Sequence, residues 1–157
     1  MSTHYIHRGL AKKNFKENTL SEFKYSFKKK YGIETDLQVT KDNQLICFHD
    51  FNLRRKFNLN KKVKDIDYSR LKKISNKRKA MVPLLKDLLK ISKNKYPLLL
   101  EIKPLLTKQS LLSLIKLTKK TKKYGIFSFR EKNLINLYKL NKKLPLGLLF
   151  LSTSNLR

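Results

Sequence analysis

Histidines, carboxylates and cations fall together on short apolar segments of this chain, and they set its chemistry. They are His7-Arg8-Gly9 near the start, Glu34-x-Asp36 and His49-Asp50 further on, and Glu101-x-Lys103 near residue 100. Carboxylate oxygens suit a hard divalent cation. Imidazoles move protons near neutral pH. Arginine and lysine neutralise a phosphoryl group. Together they suit hydrolysis of a phosphate diester.

The local patterns carry different weights. Glu34 and Asp36 are two apart on an expected strand, so both leave the same face. Carboxylates that close need a cation between them or a proton on one. Read alone, the pair is also what a surface strand of alternating charge would show. Glu101 follows Pro97-Leu98-Leu99-Leu100, the most apolar strand in the chain. That position matches the strand end where α/β barrels place catalytic groups, although a simple pairing with Lys103 would also explain it. His7 and His49 each end an apolar strand beside a charged neighbour, whereas His4 has the setting of an ordinary surface residue.

The elements that must position these groups alternate between strand and helix. Tyr5-Ile6-His7 is a strand. Leu20, Phe23 and Phe27 mark one helix face, and Thr19-Leu20-Ser21-Glu22 fits a capping box. Ile33 to Val39 is the second strand, with a turn at Thr40 to Asn43 and a returning strand from Leu45 to Phe48. Residues 50–80 are polar and basic with weak periodicity, an excursion from the core. Pro83 starts a helix, and Leu98 to Ile102 reads as a strand buried on both faces. Strands at Gly125 to Phe129 and Leu146 to Ser152 flank a helix from Glu131 to Asn141, and Leu111 to Leu117 forms another helix. Such alternation implies a parallel sheet with helical crossovers.

Composition bounds the rest. The 157 residues suffice for one domain, and 40% hydrophobic content suffices for a core. Cys47, the only cysteine, reads as a buried apolar residue. The N-terminus lacks an apolar leader core and no run is long enough to span a bilayer, so a cytoplasmic location is expected. The formal charge of +27 reads chiefly as lysine scattered over solvated faces. No arginine-rich recognition helix accompanies it. Nucleic acid or anionic membrane is therefore expected only as a non-specific electrostatic partner.

As a set, these residues resemble the glycerophosphodiester phosphodiesterases. The matching pieces are His7-Arg8-Gly9, Glu17-Asn18-Thr19-Leu20, Gly32 to Asp42, His49-Asp50 with Leu53-Arg54, Val63 to Leu71, Val82 to Leu85 and Leu100 to Lys103; Ser128-Phe129 and Pro145 to Gly147 match more weakly. The resemblance implies a TIM barrel spanning residues 1–157, with Glu34, Asp36 and Glu101 holding Mg²⁺ or Ca²⁺. It implies His7 and His49 as the acid-base pair, in an order the sequence leaves open, and Arg8 and Lys103 as phosphate contacts. The implied reaction releases glycerol 3-phosphate and an alcohol from a small anionic diester, in lipid metabolism or in phosphate or glycerol salvage. Two departures stand out. Lys16 replaces the family's usual proline before Glu17, and about five of the eight strands of a TIM barrel are found. The expectation is an incomplete barrel that self-associates through its open side, where inward residues such as Leu100 and Leu148 lose cover. The competing reading is an inactive partial barrel that binds anionic polymers or membranes.

Overall fold

A computed structural model describes residues 4–9 and 16–150. Five parallel strands form its sheet: β1 (Tyr5–His7), β2 (Gly32–Val39), β4 (Leu98–Ile102), β5 (Tyr124–Ser128) and β6 (Leu146–Leu148). They lie in that order, and β3 (Leu45–Cys47) pairs antiparallel with the far end of β2. The helices are α1 (Leu20–Lys28), α2 (Arg54–Phe57), α3 (Tyr68–Lys77), α4 (Leu85–Ser92), α5 (Lys108–Thr118) and α6 (Glu131–Leu140). The predicted tail of the last strand, Leu151 and Ser152, lies outside the described residues.

The two faces of the sheet differ in kind. Ile33, Leu37, Leu98, Leu100, Ile102 and Ile126 point to the helices and are buried there with Phe23, Phe27, Leu85, Leu88, Leu111, Leu114 and Leu137. Burying each such side chain contributes about 1.5–3 kcal/mol. The opposite face carries His7, Glu34 and Leu99 in one row, and Asp36, Glu101 and Phe127 in the next. Leu99 is only half-buried, so β4 is not covered equally on both sides. Leu100, expected to lose cover on the open side, instead faces the helices and is fully buried. Leu148 is on that same helix-side face and stays 38% exposed.

Phe127 explains two of the four glycines. Its ring lies along the inner face over Gly125 and Gly147, and a Cβ on those residues would come within 2.8 and 2.3 Å of ring carbons.

Two local expectations change. The Thr19 hydroxyl pairs with Ser21 Oγ at 2.9 Å and makes no cap hydrogen bond to α1. Pro83 precedes the N-cap of α4 rather than opening the helix; its carbonyl accepts from the Cys47 amide, and Asp87 accepts from the Leu84 amide. Residues 50–80 add no strand but do carry a core. Phe57, Val63, Ile66 and Leu71 pack with Ile46, Phe48 and Leu84. Their helices and 3-10 turn each bury only one or two residues, which leaves little periodicity to detect. Cys47 is fully buried, and burial pushes its thiol up to about 12.

Candidate active site

Strand register builds the centre of the site. Asp36 and Glu101 are directly paired across β2 and β4, and Glu34 is one row below Asp36 on the same face. One oxygen from each of Glu34, Asp36 and Glu101 lies within 4.8 Å of the others. Glu34 Oε2, Asp36 Oδ1 and Glu101 Oε1 are buried without a hydrogen-bond partner. Three converging, buried carboxylate oxygens fit a hard divalent cation in chemistry and number. Burial first, then repulsion from Asp36 and Glu101, pushes Glu34 up to about 7 against the pull of Arg8 and Lys103.

Both predicted phosphate contacts reach this centre. Arg8 follows β1 in the left-handed conformation, φ 57°, and Gly9 continues it at φ 90°. Gly9 is required: a Cβ there would meet Glu22 Cβ at 2.8 Å. The bend brings Arg8 Nε 3.0 Å from Asp36 Oδ2. Lys103 Nζ lies 2.9 Å from Glu101 Oε1 and 3.6 Å from Asp36 Oδ1.

The two histidines come from the ends of different strands, β1 and β3. His7 Nε2 is 3.6 Å from Glu34 Oε2, with two-thirds of its side chain exposed. His49 follows β3, where the Phe48 amide donates to the Asp36 carbonyl. Its Nδ1 lies 2.7 Å from Asp50 Oδ1. When Nδ1 donates to Asp50, the free lone pair is on Nε2.

A surrounding shell was not assigned roles from the sequence. Asn18, buried and left-handed at φ 55°, donates to Asp36 Oδ2 and accepts from the Thr35 hydroxyl. Arg55 Nε binds Asp50 Oδ2 at 2.7 Å, and its Nη2 reaches Glu17. Glu17 also pairs with Arg8 at 3.3 Å, while Lys56 donates to its carbonyl at 2.6 Å. A chain of hydrogen bonds and ion pairs thus runs from His49 through Asp50, Arg55, Glu17 and Arg8 to Asp36. Burial works against the charge on Asp50 and Glu17, yet their cationic partners hold both below the usual carboxylate range. Glu17-Asn18 lay within the matched segments and Arg55 just after Leu53-Arg54, but no spacing in one sequence connects them. Lys16, the departure from the family pattern, donates to the Arg78 carbonyl at 2.8 Å.

An α/β barrel architecture with an acidic centre between its strand ends is the class these features define. Residues 7–157 match the model of the glycerophosphoryl diester phosphodiesterase family, and the chain belongs to that family. A glycerophosphodiester phosphodiesterase of Bacillus altitudinis is 40% identical over 74 residues, covering 46% of this chain and 30% of that protein. The crystal structure of the glycerophosphodiester phosphodiesterase from Thermotoga maritima superposes with a TM-score of 0.81 at 24% identity, covering 98% of this chain and 64% of that one. A phosphodiesterase of Oleispira antarctica, in complex with its product sn-glycerol-3-phosphate, gives 0.80 at 20% identity, over 94% of this chain and 65% of that one. The chain thus spans under a third of the curated relative and about two-thirds of the two structures. Among the described residues no helix is long and apolar enough to cross a membrane.

Proposed function

We propose that this chain carries the catalytic centre of a metal-dependent phosphodiesterase that converts a small glycerophosphodiester into glycerol 3-phosphate and an alcohol. The observation that supports it most is the convergence of three buried carboxylate oxygens beside Arg8, Lys103 and His7, with His49 following the residue whose amide bonds the Asp36 carbonyl. Glu34, Asp36 and Glu101 would hold Mg²⁺ or Ca²⁺. When bound, such an ion supplies positive charge to phosphoryl oxygens.

In this reading Arg8 and Lys103 bind the remaining phosphoryl oxygens and offset charge that grows in the transition state. Of His7 and His49, one takes the proton from the attacking hydroxyl and the other returns a proton to the leaving alkoxide. Asp50 fixes the His49 ring for its part. Residues 1–157 act as one domain, with 50–80 an excursion whose Asp50 and Arg55 support His49. The role that fits this reaction is lipid turnover or the salvage of phosphate and glycerol.

The test is glycerol 3-phosphate release from glycerophosphoglycerol with Mg²⁺ or Ca²⁺, against the same protein in EDTA and against His7→Ala and His49→Ala. The reading expects metal-dependent release and a loss of roughly 10²-fold or more in each variant. Undiminished turnover in both variants would refute these roles.

A further inference from the structure

We propose that the cavity beside this centre is the subsite for the alcohol half of the diester, and that it takes an alcohol which itself bears a phosphate. The inference rests on the phosphodiesterase reading. The cavity, of about 630 Å³, opens between the far end of β2, the 50–80 excursion and the segment leading into α5.

Two of its lining residues hold the backbone of catalytic segments. Gln38, only 2% exposed, lines it and donates to the His49 carbonyl at 3.2 Å. Arg130 lines it too and donates through Nε to the Lys103 carbonyl at 2.9 Å. A group leaving from a phosphoryl centre beside His49 and Lys103 therefore has this cavity next to it. Its volume falls within the range of ligand pockets and exceeds what a two- or three-carbon alcohol fills.

Its charge selects the occupant. Among the described residues the charged side chains lining it are Lys41, Lys62, Lys64 and Arg130, and no carboxylate does so. Four cations repel an alcohol carrying an ammonium group and attract one carrying an anion. Arg130 is the best placed, because its anchored Nε holds the guanidinium fork at the border of site and cavity. The wall also includes the first turn of α5, which contains no acidic residue, so its partial positive charge adds to the same field. Leu105 and Leu106 supply an apolar floor for the carbon skeleton.

The experiment compares kcat/KM for three diesters: glycerophosphoglycerol with a terminal phosphate, plain glycerophosphoglycerol, and glycerophosphocholine. The expected order is phosphate-bearing, then neutral, then choline. Arg130→Gln with Lys64→Gln is set against a control of equal charge change on exposed α1 residues, Lys24→Gln with Lys28→Gln. The cavity pair should reduce the preference for the phosphate-bearing diester by about tenfold, and the control should leave it nearly intact. Calorimetric binding of glycerol 1,3-bisphosphate to the same proteins gives a readout independent of turnover. Equal losses in both pairs, or none in either, would overturn the subsite. Binding that depends on the cavity pair in a protein that turns over no diester would keep the subsite and refute the phosphodiesterase reading.

Discussion

Asp50 Oδ1 lies 2.7 Å from His49 Nδ1, and Arg55 holds the other Asp50 oxygen at 2.7 Å. The imidazole is thereby fixed in one orientation, with Nε2 free to exchange a proton. Asp50→Asn should cost about 10- to 100-fold in kcat with little change in KM, because the amide keeps the shape but can favour the wrong tautomer. The kcat pH profile of that variant checks it. A variant with unchanged kcat and profile would make the Asp50 contact merely structural.

Arg8 pairs with the fully buried Asp36 on one side and with Glu17 on the other. Arg8→Ala leaves Asp36 with one lysine and one asparagine as its polar partners among the described residues. The metal-free variant should lose about 2–4 kcal/mol in urea unfolding. Added Mg²⁺ or Ca²⁺ should restore part of that loss, since a cation on the carboxylates replaces the missing charge. No recovery with metal would argue against a shared centre.

Gly147 makes room for the Phe127 ring. Gly147→Ala should destabilise by about 1–3 kcal/mol through overpacking. In the Phe127→Ala background the same change should cost much less. Thermal melts of the four proteins form the cycle that tests this.

Glu34 and Glu22 are each pushed up to about 7, by burial above all. In the unfolded chain both titrate near 4.5. Between those values the folded state holds more protons than the unfolded state, so metal-free stability should fall as pH rises from about 4.5 to about 7 and then level off. Glu17 and Asp50 act in the opposite sense, and only at lower pH, because their folded values are depressed. Glu34→Gln should flatten part of the decline in urea midpoints. A metal-free profile that rises across this window would contradict the assignment.

How much of this could be read from the chain depended on its range of interaction. Alternating Glu34 and Asp36, and the apolar run before Glu101, announced one shared face and a strand end. Paired register then brought those residues together. Asn43 was legible as a turn residue and has φ 59°. The face of Leu100 was not legible, since a wholly apolar run has no alternation to say which side meets the helices. Glu17, Arg55 and Lys56 were hidden for another reason. In a chain with so many lysines and arginines, a cation that ties Glu17 and Asp50 together looks like one that does not. The core of residues 50–80 escaped because each short turn buries only one or two side chains.

Tyr5, Leu148 and Phe150 are exposed apolar groups, and the expectation that the chain as given self-associates is open to direct test. Sedimentation velocity should give a species larger than the 18.7 kDa monomer at micromolar concentration. A monomer that also fails to bind a hydrophobic dye would exclude this.

The central claim is that Glu34, Asp36 and Glu101 hold one divalent cation. Calorimetric titration of the metal-free protein with Ca²⁺ and with Mg²⁺, at pH 6.5 in two buffers of different ionisation enthalpy, tests it most directly. The account predicts one site per chain, proton release on binding because Glu34 must give up its proton, and loss of the site in Asp36→Ala and Glu101→Ala. Heats that show no saturable site, or a site that persists in both variants, would contradict it.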